Sequence, residues 1–334
     1  MKLLKTILLP VFFGIMLFTG CTEKKASASG EKLYTIGISK ITAHPALDAV
    51  EQGVMDELAE RGINAVYDLQ NASGDVNTAM QIATKFKSAR VDAIVAIATP
   101  TAVAAAAATR DIPVIFATVT DPVVAGLVTT VEHGEGNVTG LSDALPIYEN
   151  ISLFQRIAGI KTLGYIYTTS EANSAASFAE LQDVCKELGI TLIAQSITNS
   201  SEVKQAAEVI IKRVDGIYLT TDNTVYSALP ALIEVALANK KPIFSIDPTS
   251  AENGGCLIAQ GFDYYKAGRA TADLVIEVLN GTPPSEIPVK FITDPAESDL
   301  LIDLDTAKIC GITIPPDVLA SAGKIIENGV LTVK

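Results

Sequence analysis

Polar side chains lie at or just after the ends of most of the short apolar runs in this sequence, and these residues could bind or transform a small molecule. They are mostly hydroxyls, amides and carboxylates. In the first half they are Ser39, Lys40, His44, Thr99, Thr118, Asp121 and Asp143, and in the second half Ser170, Asn173, Ser174, Asp222, Asn223, Asp247 and Gln260. If the apolar runs are parallel strands, their carboxyl ends meet at one edge of a sheet, where ligands bind.

Each of these positions also has an ordinary structural interpretation. Asp121 precedes Pro122 and could simply open a turn. Thr99 and Asn223 could be helix N-caps. Asp222 and Asp247 could be solvated acids at strand ends. Taken together, the recurrence of polar residues at equivalent places favours a polar cleft between two lobes.

The sequence offers little equipment for catalysis. It contains no G-x-S-x-G, no G-x-x-x-x-G-K-[ST] and no G-x-G-x-x-G after a strand. Its two histidines, His44 and His133, have no metal-ligand spacing around them. We therefore predict a binding protein with no cofactor and no metal. The alternative is a secreted enzyme that uses Asp121 and Asp222 as a carboxylate pair.

The N-terminus has the pattern of a secretory signal. Lys2 and Lys5 precede an apolar stretch from Ile7 to Phe18, and Thr-Gly-Cys follows. We predict a signal peptide over residues 1–20, lipidation of Cys21, and a flexible polar linker over 21–32. The alternative is an ordinary cleaved signal peptide in which the cysteine is incidental. With Cys21 lipidated, the chain would sit outside the cytoplasm, held to a membrane by lipid alone.

The overall charge is acidic. The chain has 25 Lys and Arg against 38 Asp and Glu, which gives a net charge of −13. Because phosphate backbones are bound by clustered cations, this balance argues against a nucleic-acid partner. Cys185, Cys256 and Cys310 have no Cys-x-x-Cys spacing, and we predict buried free thiols.

Short β-branched runs alternate with stretches of helical periodicity from Tyr34 onward. The strand-like runs are nearly continuous in apolar residues, which is typical of parallel strands covered on both faces. The cycle restarts after NVTGLSDALP, and VDAIVAIATP in one half corresponds to VDGIYLTTDN in the other. The predicted fold class is α/β, with two doubly wound parallel-sheet lobes.

The irregular end of the chain indicates that it crosses between the lobes three times. We place the crossovers near Leu141–Pro146, Gln260–Tyr264 and Ile292–Pro295. The predicted N-terminal lobe comprises residues 33–143 plus 264–291. The predicted C-terminal lobe comprises residues 144–263 plus 292–334.

Several stretches carry a resemblance to a known family. They are HPALDAVEQGVMDEL, ATPTAVA, FATVTDPVVAGLV, NVTGLSD, EANS and YKAGRATADL. The chain resembles the substrate-binding lipoproteins of ABC transporters, in the branch associated with tryptophan and other aromatic amino acids. The likeness runs from about Tyr34 to Lys334, and this chain has Lys40 where many members carry Gln. It implies a type I periplasmic-binding-protein fold, hinged closure, and a permease and an ATPase as partners.

The resemblance implies an amino acid as the ligand. The α-ammonium group then needs a carboxylate, for which Asp121, Asp222 and Asp247 are candidates and Asp247 is the first choice. Hydroxyls and backbone N–H groups at helix starts would bind the α-carboxylate, at Thr99, Thr101, Asn173 and Ser174. Alternatives are another amino acid, a purine or a sugar, and a sensory receptor of the same fold. A chain with 6% aromatic residues and no Trp disfavours a sugar site.

Overall fold

The strands predicted in the first half form one parallel sheet. In the computed structural model, which describes residues 32–144, 146–292 and 298–334, this sheet has six strands in the order β11-β5-β4-β3-β1-β2. The strands are β1 (Tyr34–Lys40), β2 (Ala65–Asn71), β3 (Ala93–Ile97), β4 (Val114–Ala117), β5 (Val138–Ser142) and β11 (Lys290–Phe291). Every pairing in it is parallel.

Helices cover both faces of this first sheet. They are α1 (Pro45–Glu60), α2 (Val76–Ala89), α3 (Thr99–Ala108) and α10 (Tyr264–Leu279). Their apolar sides join the strands in one hydrophobic core, in which all five residues of β3 are buried. Burial on both faces explains why these strands are continuous apolar runs in the sequence.

The second sheet has eight strands, in the order β14-β13-β12-β10-β9-β8-β6-β7. They are β6 (Thr162–Thr168), β7 (Thr191–Ile197), β8 (Gly216–Leu219), β9 (Ile243–Ser245), β10 (Ile258–Phe262), β12 (Ser298–Asp303), β13 (Lys324–Glu327) and β14 (Val330–Val333). The pairings from β7 to β10 are parallel. The chain end extends the sheet with β12, antiparallel to β10, and with the β13–β14 hairpin.

Helices also lie on both faces of the second sheet. They are α4 (Ile147–Ala158), α5 (Ala172–Glu187), α6 (Val203–Ile210), α7 (Asn223–Ser227), α8 (Leu229–Ala238), α9 (Pro248–Ala251), α11 (Leu304–Cys310) and α12 (Pro316–Ser321). Consecutive strand residues enter opposite cores: Ile217 packs with α6 and α8, and Tyr218 packs with α4 and α5. The predicted α/β class with two sheet-based lobes is confirmed.

The chain connects the two sheets three times, after β5, after β10 and after β11. Residues 293–297, where the third predicted crossover falls, lie outside the described residues, as do residues 1–31 with the predicted signal peptide and Cys21. The lobe boundaries stay a prediction. Of the helices described, none combines the length and the apolar character that a membrane span requires.

Several parts of the chain differ from the sequence prediction. No strand was predicted at VTGLS, whose last two residues fall in the first predicted crossover, but it is β5, a fully buried strand. Its central Gly140 is required there, because a Cβ atom would lie 2.1 Å from the backbone oxygen of Phe116. Helices α4 and α9 and the β13–β14 hairpin were also not predicted from the sequence.

The most extensive helix contact joins α1 to α10, although more than 200 residues separate the two helices in the sequence. Two glycines permit this close approach. A Cβ atom on Gly53 would lie 2.2 Å from the Tyr265 backbone oxygen, and one on Gly268 would lie 2.2 Å from the Val50 oxygen. The two helices are therefore held together in the first lobe, and α10 is anchored there after the chain has left β10 of the second sheet.

We expect Gly53→Ala to lower the free energy of unfolding by about 1–3 kcal/mol, because the added methyl group forces the two helix backbones apart. Urea denaturation of the mature chain measures this change. Gly323→Ala is the control, since a Cβ atom there has no neighbour within 4 Å. Equal stabilities for both variants would show that the contact between α1 and α10 is less tight than described.

Candidate functional site

A small polar cavity lies between the carboxyl ends of the two sheets. Its polar lining comes from both lobes: His44, Thr99, Thr118, Thr120, Asp143, Asn173, Thr221, Asn223, Tyr226, Asp247 and Tyr264. Its volume is about 20 Å³, which is enough for one group the size of water or ammonium. The edge at which the two sheets face each other is the edge predicted from the sequence.

The loops that form the cavity have unusual backbone conformations. Ala98, which follows β3, has φ 76° and ψ 157°, and Thr118, which follows β4, has φ 53°. Residues other than glycine rarely adopt these values, and the surrounding structure must offset the strain. Both residues line the cavity. Strained backbone of this kind is concentrated at functional sites.

Four buried side-chain atoms around the cavity have no hydrogen-bond partner among the described residues. They are Nδ1 of His44 and the oxygens Oδ1 of Asp143, Oδ1 of Asn173 and Oδ2 of Asp247. Buried polar atoms in proteins almost always have a partner. Three of the four are oxygens, which can only accept. The arrangement is therefore suited to a group that donates several hydrogen bonds.

The two carboxyl groups are partly held by the protein. The Tyr264 hydroxyl donates to Oδ2 of Asp143 at 3.2 Å, and the Ser250 backbone N–H donates to Oδ1 of Asp247 at 2.9 Å. Burial raises the pKa of each carboxyl group to about 6, and the Asp143 charge adds to the rise at Asp247. A cation placed between them would favour both ionised forms.

His44 contributes a neutral ring to the cavity. Burial lowers its pKa to about 4, so the imidazole is uncharged at neutral pH. Its Nε2 lies 3.5 Å from Oδ1 of Asn223 on the opposite lobe, and its ring stacks on Tyr226 at 5.8 Å between centroids. A second contact between the lobes joins the hydroxyls of Thr120 and Thr221 at 2.5 Å. These contacts hold the two sides of the cleft together.

A larger and mainly apolar cavity adjoins the polar one and shares Thr120 and Asp143 with it. Its volume is about 600 Å³, which is ordinary for a small-molecule site. One side is the alanine-rich face of α5, which includes Ala172, Ala175 and Ala179. Ile147, Tyr218 and Ile246 line the interior. Because alanines project so little, they leave room for a broad, flat group.

Asp222 is not available for a ligand, contrary to our sequence prediction. Its carboxylate accepts hydrogen bonds from the Thr168 backbone N–H, the Thr168 hydroxyl, the Ser174 hydroxyl and the Val225 backbone N–H, at 2.6 to 2.9 Å. Asp222 is thereby the N-cap of α7 and a brace between β6 and α5. The predicted ligand contact Ser174 is also part of this internal network.

Four other predicted residues line neither cavity. Lys40 donates to Asp48 at 2.7 Å and to Glu51 at 2.8 Å, so its charge is neutralised beside α1. Ser39 is buried within β1, Gln260 is half-buried in β10, and Ser170 is exposed to solvent.

Asp121 accepts from the backbone N–H groups of Val123 and Val124, and it lines the larger cavity. Its turn-opening role is therefore observed directly.

Three contributors to the site were not predicted. Tyr264 orients Asp143 from a position 121 residues away, and Tyr218 lines the larger cavity from β8. Glu171, just before α5, is buried and accepts hydrogen bonds from residues 173, 223 and 224. Glu171 is the glutamate of the EANS stretch, and this stretch was the sequence signal that could have identified it. No group of His, Cys, Asp and Glu within the described part of the chain could hold a metal ion.

Comparison with known proteins decides the family. The family model for ABC transporter substrate binding proteins matches residues 35–326. This chain belongs to that family. The resemblance inferred from the sequence motifs is thereby confirmed.

Two relatives carry information about ligands. The tyrosine-binding protein of Clostridioides difficile (strain R20291) is 39% identical over 320 residues, which cover 92% of this chain and 91% of the relative. A domain from Streptococcus pneumonia, solved in complex with L-Trp, is 32% identical with a TM-score of 0.84, covering 88% of this chain and 100% of that domain. Both fit the type I periplasmic-binding-protein architecture described above.

The arrangement of the lobes is closer to the ligand-bound relative than to an open one. A ligand-free, open substrate-binding protein from Clostridium difficile has 36% identity over 85% of this chain and 97% of its own length, but its TM-score is only 0.62. The L-Trp complex is less similar in sequence and more similar in shape. Together with the contacts between Thr120 and Thr221 and between His44 and Asn223, this indicates a closed cleft.

We expect Asp247→Asn to raise the free energy of unfolding at pH 7.5 by about 2 kcal/mol, because it removes a buried charge that the protein leaves uncompensated. The folded-state pKa is raised, to about 6. Ionised Asp247 therefore lowers the wild-type free energy of unfolding, fully so above pH 6. The stability gained by Asp247→Asn should shrink as the pH falls from 7 towards 4. Chemical denaturation across this range without added ligand measures it.

Asp303→Asn is the matched control for this prediction. Asp303 is also a buried N-cap of the second lobe, but both of its oxygens accept hydrogen bonds, from the Thr306 and Gly255 backbone N–H groups and the Thr306 hydroxyl. Its replacement should lower stability, since the new amide N–H₂ meets a donor. The same sign of change in both variants would contradict the description of Asp247 as uncompensated.

Proposed function

We propose that this chain is the extracytoplasmic, lipid-anchored receptor of an ABC importer and that it binds an aromatic amino acid in the cleft between its lobes. The observation that carries the proposal is the pair of buried, unpartnered carboxylate oxygens of Asp143 and Asp247, facing a cavity the size of an ammonium group. A desolvated carboxylate with an unpartnered oxygen is stabilised by a cation. A zwitterion supplies one without adding net charge to the closed cleft.

The ammonium group binds among Oδ1 of Asp143, Oδ2 of Asp247 and Oδ1 of Asn173. These three oxygens match its three N–H donors in number. Asp247 keeps the role predicted for it, and Asp143 takes the place that the sequence suggested for Asp222. The neutral His44 ring adds no competing positive charge.

The carboxylate group binds at the start of α3. Ala98 and Thr99 line the cavity where this helix begins, and free backbone N–H groups at a helix N-terminus favour an anion. Thr101, a candidate from the sequence, donates its hydroxyl to the Ile97 and Ala98 carbonyl oxygens instead. It therefore braces the first turn of the helix.

The ligand side chain occupies the larger cavity. Its apolar lining and its volume of about 600 Å³ suit an indole or a phenol ring. The relatives support this choice, since one is named a tyrosine-binding protein and another was solved with L-Trp. The ring would lie on the alanine face of α5, with its polar edge directed towards the cleft mouth.

The family and the N-terminal sequence support the proposed location and partners. ABC substrate-binding proteins work outside the cytoplasm and are not enzymes. Lipidation at Cys21 would keep the receptor beside its membrane partners, a permease and an ATPase. The rival enzyme hypothesis loses support because Asp222 is held by four internal donors and does not face Asp121 across a shared cavity.

Calorimetric titration and thermal-shift screening of the mature chain against the twenty amino acids test the proposal. We expect L-tyrosine, L-tryptophan or L-phenylalanine to bind, and saturation at 100-fold over the dissociation constant to add about 2.7 kcal/mol of stability. Asp143→Asn and Asp247→Asn should each weaken binding at least ~100-fold. Asp303→Asn should leave affinity unchanged, and tighter binding of a purine or a sugar would contradict the proposal.

Affinity should also depend on pH. The carboxyl groups of Asp143 and Asp247 have pKa values near 6 when no cation is bound, and a bound ammonium lowers them. Binding therefore releases protons below pH 6, and the dissociation constant should rise as the pH falls from 7.5 to 5. Titration at several pH values measures this. A constant affinity over that range would exclude both carboxylates from ammonium binding.

A further inference from the structure

We infer that Glu171 is a positioning residue that fixes the side-chain amides of Asn173 and Asn223 so that both present their oxygen to the cleft. Glu171 does not line the polar cavity itself, and it is 3% exposed. The inference rests on the proposed function, because it assigns the Asn173 oxygen to the ligand ammonium. Glu171 would lie behind the side chains that contact the ligand and would not contact the ligand itself.

The Glu171 carboxylate is saturated with donors. Its Oε2 accepts from Nδ2 of Asn223 at 2.6 Å, from Nδ2 of Asn173 at 3.2 Å and from the Asn223 backbone N–H at 3.2 Å. Its Oε1 accepts from the backbone N–H of Thr224 at 3.0 Å and from the Thr224 hydroxyl at 2.8 Å. A carboxylate has no donor of its own, so it can only be approached by N–H and O–H groups.

This saturation determines which atom each asparagine presents. An amide that directs its Nδ2 to Glu171 must direct its Oδ1 the other way. For Asn173 that oxygen is buried and unpartnered at the polar cavity, and for Asn223 it lies 3.5 Å from Nε2 of His44 on the opposite lobe. The Thr221 carbonyl supports the same orientation of Asn173 by accepting from its Nδ2 at 2.6 Å.

The Glu171 carboxylate thus affects both ligand binding and closure of the lobes. Through Asn173 it supplies an acceptor for the ligand, and through Asn223 it supplies the acceptor that meets His44 when the lobes close. A reversed Asn173 amide would place its N–H₂ group beside the ligand ammonium, where donor faces donor. Such a contact would oppose binding of any ligand that carries an amine.

The test is Glu171→Gln, measured with two ligands that differ only in the amine. In either orientation, the N–H₂ group of the glutamine amide faces a backbone N–H group. At the Oε2 position it meets the N–H of Asn223, and at the Oε1 position it meets the N–H of Thr224. We expect L-tyrosine to bind at least ~10-fold more weakly, the equivalent of one lost hydrogen bond. The affinity for 3-(4-hydroxyphenyl)propionate, which has the same ring and carboxylate, should change less than about twofold.

Thr224→Val is the matched control, because it removes one donor to Oε1 and leaves the donors to Oε2 in place. It should lower thermal stability without changing the ratio of the two affinities. If Glu171→Gln weakens both ligands equally, or neither, Glu171 has no part in orienting the amides, and the inference is overturned.

A second measurement uses the unsubstituted chain and needs no ligand. Side-chain amide protons of Asn173 and Asn223, assigned by NMR, should exchange with solvent far more slowly than those of the exposed Asn77. Exchange as fast as that of Asn77 would overturn the inference even if Glu171→Gln does not fold. If no amino acid binds the chain, the proposed function fails, while these exchange rates still decide the role of Glu171.

Discussion

The cost of burying Asp143 and Asp247 without a counter-charge is the constraint on which the function of this structure depends. Each has one oxygen held by the protein and one oxygen without a partner. Removing such charges from water costs several kcal/mol per ion unless a partner is supplied. A cationic group that enters the cleft supplies that partner for both acids at once, so ligand binding and closure of the lobes favour each other.

The same protein shows how a buried carboxylate is stabilised when it has no ligand to bind. Asp222 and Glu171 lie close to the cleft, and they accept hydrogen bonds from four and five donors respectively. They hold loops and amides in place, although burial and the Glu171 charge still raise the pKa of Asp222. They differ from the two acids proposed to bind the ligand in the number of internal donors. Burial is common to all four.

Much of this was predictable from sequence, because parallel strands covered on both faces must be apolar and their polar ends must gather at one edge. Thus His44, Thr99, Asp143 and Asp247 were expected together and do lie together. The choice between Asp143 and Asp222 was not predictable, since the donors that satisfy Asp222 include Thr168 and Ser174, 54 and 48 residues away in the chain. Strand β5 was missed because Gly140, a poor strand residue, is imposed by a backbone contact with Phe116.

The composition of the cleft also supports the proposal of an amine over a neutral ligand. A sugar hydroxyl can donate to Asp143 or Asp247, but it cannot offset the charge that makes their burial costly. The surface of the adjoining cavity is mainly apolar, although Asp121, Glu180 and Tyr218 are among the residues that line it. A ligand with one compact cationic end and one broad apolar end satisfies both regions at once. An aromatic amino acid has this shape, and its carboxylate then falls near the start of α3, where the strained residue Ala98 brings the helix N-terminus to the edge of the cavity.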